Sequence, residues 1–139
     1  AIIDLLRQKS RPYLFSNSLA PSIVYASLQA IDMIQISNQL RKKLNDNTIY
    51  FRKEIQNIGF TIKPGVHPII PIMIGDAKLS KIFAESMLNQ GIYVVSFSYP
   101  VVPKGEARIR VQLSAAHTQK QLNYALENFQ KEGKKLNII

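Results

Sequence analysis

The sequence predicts an α+β fold, a sheet of about three strands with helices packed on it. Three observations carry that expectation. Residues 107–114, ARIRVQLS, alternate apolar and polar side chains, the two-residue period of a half-buried strand. Residues 69–74 and 92–100 are rich in β-branched and aromatic side chains, which suit a pleated surface. Around these runs, residues 21–59, 77–89 and 118–133 repeat apolar residues at the spacings of an amphipathic helix.

Taken in order, residues 1–9 read as the end of a helix stopped near Pro12. Ile2, Ile3, Leu5 and Leu6 already form a helical stripe with no capping residue ahead of them. With no initiator methionine, the start reads as the continuation of a longer chain. RPYLFSNSLAP, at 11–21, reads as a loop or short extended piece. Pro21 suits the first turn of a helix, with Ser18 as the expected cap. Leu40, Leu44, Phe51, Ile55 and Ile58 mark one apolar stripe. A single helix over 21–59 would be unusually long, so a break is expected between Asp32 and Asn38, with Gly59 as the stop.

In HPIIPIMIG both faces of the run are apolar, as in a strand covered on each side. Pro68 and Pro71 cannot donate to a ladder, which places this strand at an edge. Asp76 caps a helix over 77–89 carrying Leu79, Ile82, Phe83, Met87 and Leu88, and Gly91 ends it. IYVVSFSYP supplies a further β-rich run and ARIRVQLS the next strand, with PVVPKGEA as the turn between them. Thr118 and Gln121 match a capping box for a last helix. Its buried stripe is Leu122, Ala125, Leu126 and Phe129, and Gly133 is expected to stop it.

The chain has 139 residues, 46% of them apolar, enough to bury one core. There is no cysteine, which removes disulfides, thiolate metal sites and a thiol nucleophile, and fits a reducing, cytoplasmic setting. The net charge of +9 raises the question of nucleic acid. The basic residues are scattered, however, and the clusters LRKKL and KEGKK lack interleaved aromatics. A solvated basic surface is the better reading, with no nucleic-acid partner. Apolar runs are too short and too broken by proline to span a membrane.

Catalytic constellations are sparse. His67 and His117 stand without carboxylates at metal-ligand spacing, so no metal is expected and both read as structural. There is no glycine-rich phosphate loop, no serine elbow and no pair of carboxylates at a useful spacing. Two stretches stand out. Ser16, Asn17 and Ser18 place short polar side chains beside a helix start, suited either to capping or to an anion. Arg108 and Arg110 share one face of a strand, either solvated or holding a carboxylate through the guanidinium fork.

Three segments carry a resemblance: RPYLFSNSLAPSIV, HPIIPIMIGDAKLS and GIYVVSFSYPVVPKGEARIRVQLSAAHT. They resemble the C-terminal part of the α-oxoamine synthases, over nearly the whole chain. These are pyridoxal-phosphate enzymes of fold type I. The SNSLAP stretch leans towards the branch that joins glycine and acetyl-coenzyme A to 2-amino-3-ketobutyrate, or runs backwards in threonine breakdown.

The resemblance implies a homodimer, pyridoxal 5'-phosphate as cofactor, and glycine and acetyl-CoA as substrates. It implies that Arg110 binds the amino-acid carboxylate, that Arg108 pairs structurally, and that Ser16 and Asn17 reach the cofactor phosphate of the other subunit. Ser18 would act mainly as a cap. It also implies that residues 1–59 are helices following a large domain absent from this sequence, and that 60–139 are the C-terminal small domain.

None of the twelve lysines stands in the family's T-x-x-K setting ahead of a glycine-rich stretch. The stacking histidine and the aspartate under the ring nitrogen are absent too, so no catalytic residue is expected here and this chain alone should be inactive. The alternatives are 8-amino-7-oxononanoate synthase or another member of the family, and a non-catalytic basic binding domain.

Overall fold

The computed structural model describes residues 1–139. Its elements are α1 (Ile2–Lys9), α2 (Arg11–Phe15), α3 (Pro21–Ile36), α4 (Gln39–Ile58), β1 (Ile69–Gly75), α5 (Ala77–Asn89), β2 (Val95–Phe97), β3 (Ala107–Gln112) and α6 (Gln119–Lys135). This is the expected α+β fold, with six helices and one three-stranded antiparallel sheet in the order β1-β3-β2. Two compact units divide the chain, Ala1–Asn38 and Gln39–Ile139.

The first unit holds α1, α2 and α3. Residues 11–15 form a short helix rather than the expected loop. Pro12 sits in its first turn, where its missing N–H costs nothing. Pro21 opens α3 as expected, but the N-cap is Ala20, with no side-chain cap. Ser18 therefore does not do the capping expected of it. No residue of α1, α2 or α3 is buried. The chain leaves helical geometry after Ile36 and resumes at Gln39, within the expected break.

The second unit contains the core. Alternation along β3 works as expected: Ala107, Ile109, Val111 and Leu113 are buried, while Arg110 and Gln112 are exposed. Ile70 and Ile72 of β1 join them on the inner face. Phe51 of α4, Phe83 of α5 and Phe129 of α6 close over that face together with Phe60. Phe129 meets Phe83, Phe60 and Phe51 at ring-centroid distances of 5.4, 5.8 and 6.1 Å. Such pairs contribute about 0.5–1.5 kcal/mol each beyond the area they bury. On α5, Phe83 and Met87 are buried, whereas Ile82 and Leu88 point outward.

Local signals set the ends of these elements. Asp76 accepts the Leu79 N–H at 2.7 Å and starts α5 where expected. Thr118 and Gln121 form the capping box of α6. Gly59 and Gly91 take φ of 116° and 75°, left-handed values that let the chain turn out of α4 and α5. Gly133 departs from expectation. It lies inside α6, which runs on to Lys135, and is buried against Phe60. The β-rich run 92–100 contributes only three residues to the sheet.

β1 is an edge strand, as its prolines require. Its outer side is partly covered by the segment before it. Met73 N–H donates to Thr61 O at 2.8 Å, and Lys63 N–H donates to Pro71 O at 3.0 Å. Arg52 of α4 fastens the following loop, donating to the carbonyls of Lys63, His67 and Ile69 at 3.2, 2.9 and 3.4 Å. Between α5 and α6, the buried Glu132 accepts from Ser86 and lies 3.2 Å from Lys135 Nζ. The Ser86 hydrogen bond, more than Lys135, holds its carboxyl below the usual carboxylate range despite burial. No helix is long and apolar enough to cross a membrane.

Candidate functional site

The outer face of the sheet carries both arginines of β3. Antiparallel register places Arg110 between Pro71 of β1 and Val95 of β2. Arg108 lies between Met73 and Phe97. Two cations therefore stand in a strip of apolar side chains, on the side of β3 opposite the core.

Their environments differ. Arg108 Nη1 lies 3.7 Å from Glu106 Oε2, and the same oxygen accepts from Lys63 Nζ at 2.7 Å. Lys63's hydrogen bond, then its charge, holds the Glu106 carboxyl below the usual carboxylate range, and Arg108 adds to the effect. One carboxylate thus answers two cations. Arg110 has no acidic partner in the chain. Its guanidinium carbon sits 4.6 Å from the centroid of the Phe97 ring, a cation–π contact. The strand fixes its backbone, its head lies over the ring, and the residue is exposed to solvent.

Ser16 and Asn17 lie in the other compact unit, between α2 and α3. Ser16 is the C-cap of α2, its N–H donating to Pro12 O at 3.0 Å. Both are exposed, and their hydroxyl and amide groups are the donor set a phosphate takes. The structure therefore brings Arg108 and Arg110 together on one face, and places Ser16 beside Asn17 in a separate unit.

Both histidines have backbone partners. His67 Nδ1 accepts from Ile69 N–H at 3.1 Å, and His117 Nδ1 accepts from Ser114 N–H at 3.2 Å. Asn47 of α4 holds the same bend after β3, donating to Ser114 O and His117 O at 3.1 Å each. No group of three His, Cys, Asp or Glu side chains gathers that could hold a metal ion. Sequence reasoning missed Phe97 and Glu106. Glu106 could have been found two residues before Arg108, on the same face. Phe97 required the β2–β3 register, which no local pattern supplies.

Residues 1–129 match the model of the family described as aminotransferase class I and II. The chain is similar to 2-amino-3-ketobutyrate coenzyme A ligase of Escherichia coli, at 50% identity over 99% of this chain and 35% of that protein. It is similar to 8-amino-7-oxononanoate synthase of Thermosipho melanesiensis, at 47% identity over 99% of this chain and 35% of that protein. Serine palmitoyltransferase of Sphingomonas wittichii shares the fold with a TM-score of 0.88 and 25% identity, over 99% of this chain and 35% of that one. A further structure of such an enzyme, carrying PLP, matches with a TM-score of 0.89. The chain spans about a third of the length of the curated relatives it matches, 35% in the first of them.

Proposed function

The chain belongs to the aminotransferase class I and II family, and from that premise we propose that it forms the amino-acid carboxylate site of a pyridoxal-phosphate-dependent acyltransferase. The reaction is the condensation of glycine with acetyl-CoA to 2-amino-3-ketobutyrate, reversible in threonine breakdown. The observation that carries the reading is Arg110: a strand-borne guanidinium held over a ring at 4.6 Å, with no carboxylate of its own. A planar fork with free N–H edges matches a carboxylate through two parallel hydrogen bonds.

In this reading Arg110 does two things. It binds the carboxylate of glycine, and it fixes the direction in which the α-carbon presents its bonds. Arg108 holds no substrate, because Glu106 already engages it. Ser16 and Asn17 hold the cofactor phosphate through a hydroxyl and an amide, reaching it from the partner protomer of a homodimer. When bound, pyridoxal 5'-phosphate draws electrons from the bond broken at the α-carbon. No lysine here stands in the family's lysine motif, so the chain contributes binding and orientation, and activity belongs to the whole protein. Residues 1–59 serve as helices linking to the large domain, and residues 60–139 as the small domain. A cytoplasmic location belongs to the same proposal, supported by a composition without cysteine.

The test is steady-state kinetics of the intact protein. Arg110→Ala raises the KM for glycine, with a loss of about 2–4 kcal/mol as expected for a charge-assisted pair losing one partner. Unchanged glycine kinetics would remove Arg110 from the carboxylate site. A second reading, 8-amino-7-oxononanoate synthase, draws on the 47% identity to the Thermosipho enzyme. Turnover of glycine with acetyl-CoA, compared with a longer acyl-CoA, separates the two.

A further inference from the structure

We propose that Phe97 is the positioning residue for Arg110, holding the guanidinium over its ring so that the fork is set before the substrate arrives. The inference rests on the carboxylate-binding reading of Arg110 above.

Two requirements conflict at Arg110. An arginine side chain has many rotamers, and ordering them on binding weakens affinity. An acidic neighbour would order Arg110 but would also occupy the N–H groups that the substrate needs. A ring avoids the conflict. It contacts the face of the guanidinium plane and leaves the N–H edges free.

The surroundings of Arg110 leave this task to Phe97. Its register neighbours, Pro71 and Val95, have no acceptor on their side chains. Glu106, the acidic residue on β3's approach, is engaged by Lys63 at 2.7 Å and Arg108 at 3.7 Å. The Phe97 ring lies one register step away on β2, opposite Arg108, and Arg110 reaches diagonally across to it. Phe97 is half-buried, and its pairing with Arg108 fixes its backbone in the sheet.

The experiment compares Phe97→Leu, Phe97→Tyr and Arg110→Ala in the intact protein, with glycine as the varied substrate and acetate as a competitive probe. Phe97→Leu keeps apolar bulk and removes the ring face. It should raise the KM for glycine and the Ki for acetate about five- to tenfold, with kcat at saturating glycine falling much less. Phe97→Tyr restores the ring and should bring both constants back to within about twofold of the parent. Cofactor absorbance and the melting temperature verify that each variant is folded, and Phe97→Met replaces Phe97→Leu should the latter fail to fold.

The positioning role falls if Phe97→Leu leaves both constants unchanged while Arg110→Ala raises them. It also falls if Phe97→Tyr is as impaired as Phe97→Leu. If Arg110→Ala changes neither constant, the carboxylate reading itself fails, whatever Phe97 does.

Discussion

At the scale of single residues, charge accounting separates two neighbours of the same type. Glu106 accepts from Lys63 and faces Arg108, so two of the three cations on that side of the sheet have a counter-charge. Arg110 has only a ring. The two arginines were legible in the sequence because their spacing of two is the strand period itself. Their different surroundings were not legible, since these depend on Glu106, Lys63 and Phe97 arriving from three segments. Ser16 and Asn17 act, in the proposed function, through one hydroxyl and one amide. Removing the hydroxyl in Ser16→Ala should lower cofactor retention in the intact protein, read from absorbance after dialysis. Asn17→Ala should act in the same direction, each losing about 1–2 kcal/mol of a hydrogen bond to a charged phosphate. Retention equal to the parent would leave both as loop residues ahead of α3.

At the scale of elements, caps were the most legible feature. Asp76 and the Thr118–Gln121 box begin α5 and α6 where the sequence expects, because capping is a contact within three residues. The misreadings share a different cause. Gly133 resembles a helix stop, yet α6 continues through it because Phe60 packs where a side chain would stand. That contact joins positions more than seventy residues apart, beyond the reach of any local pattern. It also reverses the usual effect of a substitution. Gly→Ala in a helix interior normally stabilises by about 1 kcal/mol. At Gly133 a Cβ would stand 2.6 Å from Phe60 Cζ and 3.1 Å from the Ile139 side chain. Phe60 is in the core and has little room to move. Overpacking of this kind costs about 1–3 kcal/mol, so it wins. Gly133→Ala should lower the melting temperature by several degrees, measured by circular dichroism, and a rise would show that the phenyl ring yields.

At the scale of the whole molecule, every core residue lies within Gln39–Ile139. Residues 1–38 bury none, although α3 carries Ile23, Leu28, Ile31, Ile34 and Ile36. The stability of this chain therefore resides in the second unit. Residues 39–139 expressed alone should unfold cooperatively, with a midpoint within a few degrees of that of residues 1–139. A chain that fails to fold without residues 1–38 would show that the first unit carries stability its burial does not reveal. The helical pattern of α3 was legible, but the exposure of its apolar side chains was not. Periodicity identifies a face that favours burial and does not identify what covers it.

The borders of the sheet have a further consequence. On one side Thr61 and Lys63 already bond to β1, and on the other β2 offers three residues before the chain turns at Pro100. Neither rim leaves a long row of free amides and carbonyls for another polypeptide to zip onto. In the carboxylate-binding reading, recognition at this sheet proceeds through side chains standing on its open plane, and substitution at single positions rather than main-chain register sets specificity there.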